Sequence, residues 1–394
     1  MSGLMELAIG PLLLNWPAER VEAFYARIAD EAPVETVYLG EVVCGKRQPL
    51  LQDVLARAAE RLEAAGKTVI WSTLALPSTS RERRLAAELG ADPDHLIEAG
   101  DMSAVWSRAP APFVAGPLLN VYNAPAAAEL VRMGCVRLCA NVELPLTSIA
   151  EIAQACPELK LELFAFGRLP LALSSRCAQA RMEGLHRDAC RYVCDRHPDG
   201  MDVATIEGQD FLAINGLQTL SHGCQLVDVE VEALERSGVS VLRLSPHSLD
   251  MVAVCNLFRD FITGRITPRE LALKIEPLGP PGPLVSGYLH GTAGARWRQV
   301  SPRSRAREIR EMTPHAQAFR RAPAHLDCAD ARPPPRLPNL VCVERPTDGA
   351  CRGRRACAAL PGGDQPLRRG IRRERRCDRS TRRAGPRWRR YGAA

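Results

Sequence analysis

Apolar runs of strand length alternate along the chain with longer stretches whose apolar positions recur at helical spacing. LAIGPLLL is followed by WPAERVEAFYARIADEA, where Val21, Phe24, Tyr25 and Ile28 share one helical face and Pro17 stands near the helix start. VETVYLG predicts a second strand, and RQPLLQDVLARAAERLEAAG a long helix ended by Gly66. The pair repeats as KTVIWSTLAL with SRERRLAAELG, HLIEAGD with MSAVWSRA, FVAGPLLNVYN with PAAAELVRMG, and CVRLCANVEL with SIAEIAQAC. KLELFAFGRLPLAL is a further strand run. After a polar interlude DFLAINGLQTLS, VDVEVEALERSG, SVLRLSPH and DMVAVCNLFRDFITG resume the alternation. Strands that are apolar throughout predict a parallel sheet covered on both faces. About eight such units over about 260 residues suit an α/β fold of the (β/α)8-barrel type better than an open sheet. Cys44, Asn120, Glu143 and Cys177 fall at or after strand C-terminal ends, which places them at one mouth of such a barrel.

The pattern stops near Trp297, so the expected organisation is a barrel domain over residues 1–298 and an Arg/Pro-rich tail over 299–394. The tail holds 24 Arg, no Lys and 9 acidic residues, a net of +15, which leaves −8 on the rest of a chain whose total is +7. An acidic body does not look like a nucleic-acid binder. The tail, with runs such as RPPPRLP and RRGIRRERRCDRSTRR, lacks the apolar surface to offset its ordering entropy. It reads as a disordered segment, as a basic arm for RNA or acidic lipid, or as out-of-frame translation of a GC-rich gene, which yields Arg without Lys.

The N-terminal stretch MSGLMELAIGPLLLNWPAER has no basic n-region and no small-residue cleavage site, and reads as a first strand rather than a signal peptide. No run of about 18 apolar residues predicts a transmembrane helix. The expected compartment is the cytoplasm, where the 14 cysteines stay reduced unless a metal holds them. Against that background the polar segment RCAQARMEGLHRDACRYVCD, Arg176 to Asp195, is informative. Its Cys177, Cys190 and Cys194 are spaced C-x12-C-x3-C, which reads as metal ligation. Closed sites take four ligands, and Cys44, in VYLGEVVCGKR, is the candidate for the fourth. Zinc and an iron–sulfur cluster both remain open: Cys190 and Cys194 pass as a zinc knuckle, but Cys44 and Cys177 do not make a second one, whereas a cluster tolerates scattered ligands. Cys135 and Cys139, on one face of a strand, read as core residues. The isolated Cys156, Cys224 and Cys255 read as core or surface thiols. The five from Cys328 to Cys377 belong to the tail.

The lead-in AFGRLPLALSSRCAQAR followed by CRYVC resembles the signature of the peptidase U32 family. VYLGEVVCGKR, STLAL, LIEAGD, FVAGPLLNVYNA, LCANVEL, INGLQTLS and VLRLSPH extend the resemblance, in order, over roughly residues 8 to 290. Within the family it points to the branch that serves oxygen-independent ubiquinone biosynthesis. The resemblance implies a barrel-like fold and a 4Fe–4S cluster on Cys44, Cys177, Cys190 and Cys194. It implies a heterodimer with a UbiU-like sister U32 protein, and a UbiT-like lipid-binding accessory protein that presents the quinone precursor. The implied reaction is ring hydroxylation without dioxygen, with prephenate as oxygen donor. Proteolysis is not implied, and no Ser-His-Asp set or HExxH helix is legible. Leu173 stands where members often carry tyrosine, and His247 where glutamine is typical. Two rival classes share the cysteine set: a U32-type RNA hydroxylase, against which the acidic body stands, and a non-catalytic metal-stapled scaffold.

No catalytic residue is assignable from the sequence. Lys46 and Arg47 either lower the pKa of Cys44 or meet an anionic donor, or they start a solvated helix. Glu41 reads as a general base or a hydrogen-bonded surface group. Asn120 and Asn123 either orient a substrate or form turns and caps. Glu98, Asp101 and Glu143 sit at the same mouth and equally suit capping, and Arg176 either reaches the cluster sulfur or faces water.

Overall fold

A computed structural model describes residues 5–297. The tail expected over residues 299–394 lies outside the described residues.

Eight parallel strands close into a barrel: β1 (Glu6–Ile9), β2 (Thr36–Leu39), β3 (Thr68–Ser72), β4 (Ile97–Ala99), β5 (Phe113–Ala115), β6 (Cys135–Cys139), β7 (Lys160–Leu173) and, after three further strands, β11 (Val239–Leu244). The seam is β11, paired with β7 through Val239↔Leu161 and with β1 through Glu6↔Val241. Helices follow the strands: α1 (Ala18–Glu31), α2 (Gln48–Ala64), α3 (Ser80–Gly90), α4 (Met102–Arg108), α5 (Ala124–Arg132) and α6 (Leu146–Ala155), with the short α7 (Ala178–Met182) and α8 (Val231–Arg236), then α9 (Met251–Ile262) and α10 (Pro268–Ile275). Leu7, Ile9 and Leu39 pack outward in one large core with Tyr25, Ile28 and Leu55 of the first two helices. Their neighbours in the period of two, Ala8 and Tyr38, turn inward with Ile70, Val114 and Val241. This is the (β/α)8 architecture that the alternating pattern predicts.

β7 departs from that pattern. Its first half is a barrel strand, while its second half pairs antiparallel with β10 (Gln218–Leu226), from Leu226↔Phe166 to Gln218↔Leu173. β9 (Asp210–Asn215) and β8 (Met201–Ala204) continue this antiparallel ribbon. DFLAINGLQTLS, which reads as a resumed alternation, is therefore a hairpin outside the barrel. β12 (Leu284–Val285) adds a short parallel edge to β10. The change of partner occurs at Gly167, whose φ is +121° and where a Cβ would lie 2.7 Å from the Cβ of Ser245. Only glycine meets both conditions.

The barrel interior holds buried charge. Arg243 donates from Nε to Glu162 at 2.7 Å and from Nη1 to Glu98 at 2.6 Å. Tyr38 donates to Glu162 at 2.6 Å, Ser72 to Glu98 at 2.7 Å, and the Arg243 guanidinium lies 4.0 Å from the Tyr38 ring centroid. Glu98 is thus an interior ion-pair partner rather than a cap. Burial pushes the Glu162 carboxyl up, but Arg243, Arg137 and the Tyr38 hydroxyl together outweigh it, and the net shift is downward. A depressed folded-state pKa means that the pair adds stability above the unfolded value of about 4.3, and that this is lost as pH falls through the folded value. Glu162→Gln is expected to cost about 3 kcal/mol at neutral pH, because Glu98 alone is then left to answer the buried guanidinium and Arg137 loses its inner carboxylate. It should also flatten the loss of stability below about pH 4. Urea denaturation across a pH series reads both effects, and wild-type stability at pH 7 would count against this role.

Candidate functional site

Cys44, Cys177, Cys190 and Cys194 line one largely enclosed pocket, together with Lys46, Arg47, Arg187, Tyr192 and the chain at Gly216–Leu217. Cys44 comes from the turn between β2 and α2. Cys177 caps the N-terminus of α7, its Sγ 3.4 Å from the N–H of Ala180. Cys190 and Cys194 flank Arg191 and Tyr192, whose φ values of 51° and 55° put two successive non-glycine residues in the left-handed region. That turn costs about 1–3 kcal/mol per residue, and it brings both thiols to the same pocket. Cys44, Cys177 and Cys194 are buried and Cys190 is half-buried. Leu13, Val42 and Leu217 pack around them.

Arg47 anchors the pocket. It stands at the N-terminal cap of α2 and is 1% exposed. Its Nη2 donates to Asn215 Oδ1 at 2.7 Å and lies 3.5 Å from the Sγ of Cys194, while Nη1 donates to the carbonyl of Leu13 at 3.2 Å. Glu41 is 3.9 Å away. Burial works against the charge on Arg47, but Glu41, with Cys194 and Cys44, more than offsets it, and its pKa lies above the ordinary value. Its Nε is buried and has no hydrogen-bond partner among the described residues. Asn15 Nδ2 supplies a second donor to Cys194 Sγ, at 3.3 Å. Asn215 is saturated: Oδ1 accepts from Arg47 and from the N–H of Asn15, and Nδ2 donates to the carbonyls of Cys194 and His197. Gly216 follows with φ +69°, and a Cβ there would sit 2.5 Å from Nη2 of Arg47.

Burial pushes the thiols of Cys44 and Cys194 up, and Arg47 opposes it at both. A metal taken up here would displace protons from neutral thiols. The donor set fits a thiolate-bound cluster: four sulfurs, three nearby cations and a buried N–H without an acceptor. Among the described residues no three His, Cys, Asp or Glu side chains converge on a point as the ligands of one ion do. The ligands of a cubane cluster bind separate irons and need no such point.

The other candidates divide. Lys46 donates from Nζ to the carbonyls of Arg187 and Asp188, both at 2.8 Å, and so ties the turn carrying Cys44 to the segment carrying Cys190. Glu41 accepts the N–H groups of Val43 and Cys44 at 2.8 Å and shapes their turn. Leu173 packs beside the cysteines. Asn123 and Asp101 cap α5 and α4. Asn120 turns the chain at φ 58° and accepts from Asn141, and Glu143 accepts from Tyr122. None of these four lines the cysteine pocket. Arg176 is exposed. His247 accepts the N–H of Arg168 on Nε2 and faces Asp199 through Nδ1, which ties the segment after β11 to the middle of β7 and to the β7–β8 connection. Asn15, Asn215 and Arg187 escape the sequence reading. The first two are single polar residues closing apolar runs, LLLN and AIN, and that is the one signal available for them.

A second pocket opens at the C-terminal mouth of the barrel, with Gly10, Gly116, Pro170 and Phe164 in its wall and Glu98 and Arg243 in its lining. Leu13 and Val42 belong to both places: they line this pocket and pack with Cys44 and Cys177.

The family model for peptidase family U32 matches residues 16–298. Among solved structures, phospho-2-dehydro-3-deoxyheptonate aldolase of Thermotoga maritima is similar at 10% identity over 72% of this chain and 71% of that one, with a TM-score of 0.28, a likeness that carries no argument about function.

Asn215→Ala would leave the Asn15 N–H without its acceptor, take the 2.7 Å bond from Arg47 Nη2, and remove one of the two donors to each of the Cys194 and His197 carbonyls. The expected cost is about 2–3 kcal/mol, read by chemical denaturation of the metal-free protein. A loss under about 1 kcal/mol would show that the network does not brace the pocket.

Proposed function

The chain belongs to peptidase family U32, and from that premise we propose that it is a UbiV-like iron–sulfur subunit of an oxygen-independent hydroxylase of the ubiquinone precursor ring. The observation that carries the reading is that Cys44, remote in sequence, meets Cys177, Cys190 and Cys194 in one largely enclosed pocket rimmed by Lys46, Arg47 and Arg187. Cys44, Cys177, Cys190 and Cys194 would hold the 4Fe–4S cluster, which when bound supplies one-electron chemistry. Arg47, Lys46 and Arg187 offset the negative charge of four thiolates in a largely enclosed site. Leu13 and Val42 seal the cysteines on the side of the barrel mouth, where the glycine-flanked pocket offers an apolar wall to a ring. A UbiU-like sister protein, a UbiT-like carrier of the precursor and prephenate as donor complete the reading. The net charge of −8 on residues 1–298 favours it over hydroxylation of RNA.

Protein purified without oxygen is expected to be coloured and to carry about four irons and four acid-labile sulfides per chain. Cys190→Ala, at the half-buried ligand, should bleach the visible absorption. Colourless protein holding one zinc would overturn the cluster. A deletion strain is expected to lose anaerobic ubiquinone; loss of an RNA hydroxylation with normal quinone would move the substrate to RNA.

A further inference from the structure

We propose that Arg47 is a positioning residue that sets the reduction potential of the cluster, acting chiefly through the Sγ of Cys194 and assisted there by Asn15. This rests on the cluster reading above. Donors are distributed unevenly over the four thiols. Cys194 receives two side-chain donors, Nδ2 of Asn15 at 3.3 Å and Nη2 of Arg47 at 3.5 Å. Cys177 receives one backbone N–H, from Ala180 at 3.4 Å. The Cys194 corner therefore differs from the others in its surroundings.

Arg47 is built to act on added negative charge. The guanidinium is fixed by Asn215 and by the Leu13 carbonyl, so it has nowhere to swing. It is sealed from water, where solvent does not screen it. Its charge is matched by one carboxylate, Glu41, whose Oε1 is also committed to the N–H groups of Val43 and Cys44. Its Nε still lacks an acceptor in a pocket lined by all four cysteines. An oxidised cubane cluster on four thiolates is a dianion, and one electron makes it a trianion. A fixed buried cation with a spare N–H favours the second state over the first, as hydrogen bonds and charge at the sulfurs do in general. The electron comes from an external one-electron reductant, and no bond forms or breaks. Asn15 offers the same thiolate a neutral donor, so its effect has the same sign and a smaller size.

The test is a redox titration followed by electron paramagnetic resonance, on anaerobically purified full-length protein, with iron and sulfide measured on each sample. Dithionite is the reductant. Arg47→Gln should lower the equilibrium constant for reduction about tenfold, which is about 59 mV for a one-electron couple. Arg47→Lys, which keeps the charge but not the planar fork, should fall between Gln and wild type. Asn15→Leu should shift the potential in the same direction by less, and it keeps the test open if Arg47→Gln fails to fold. Unchanged potentials in variants that retain their iron overturn the proposal, as does loss of iron from all three. Wild-type protein without iron overturns the cluster reading itself, and that result is seen before any variant is compared.

Discussion

A guanidinium sealed inside a protein has to be answered by its surroundings, and around Arg47 that requirement fixes the neighbourhood. Its partners come from far apart: the Leu13 carbonyl after β1, Glu41 after β2, Cys194 in the β7–β8 connection, and Asn215 at the end of β9. Each is in place because the cation is. Charge-assisted hydrogen bonds in a buried site are short-ranged and directional. One side chain thereby ties four stretches of chain together, and two of them, the β2–α2 turn and the β7–β8 connection, carry Cys44, Cys177 and Cys194. Lys46 does a similar job at the rim, binding two carbonyls just ahead of Cys190.

The barrel applies the same logic in its interior. Arg243 sits between Glu98 and Glu162 and under the ring of Tyr38, with Arg137 near enough to share the load. Groups of opposite sign in a low-dielectric space tolerate one another only while the set is intact. Two polar centres, one in the barrel and one beside it, are separated by apolar residues such as Leu13 and Val42 that face both. The fold thus keeps the floor of the mouth pocket and the cysteine pocket chemically distinct while holding them side by side.

Much of this was legible in the residues, for reasons that can be stated. The barrel was readable because each strand run is apolar on both faces and each helix carries its stripe, as in β2 with α2. The cysteines were readable because three thiols in a polar segment have no place in a core, and Cys44 because it ends a strand. The hairpin of β9 and β10 was not, since an apolar run that leaves the barrel looks like one that stays; only Gly167 marks the switch, and a glycine has many uses. Glu98 suits a cap in the sequence because a carboxylate at a strand end often is one, whereas Arg243, far along the chain, draws it inward. Asn15 and Asn215 were invisible, because their role lies in pairing with one cation that the sequence does not show to be buried.

The position of β11 has a kinetic consequence. The eighth stave enters the sheet between β7 and β1, so the seam joins Glu6 to Val241 and spans most of the described residues. Seven staves and the whole antiparallel ribbon are synthesised before that edge can be covered. Closing so long a loop is entropically slow, and it leaves the edges of β1 and β7 open to wrong pairings in the meantime. Folding of this chain is thus timed by its last stave, and a nascent chain stalled before Val239 emerges would display two bare strand edges to whatever chaperone or neighbour is at hand.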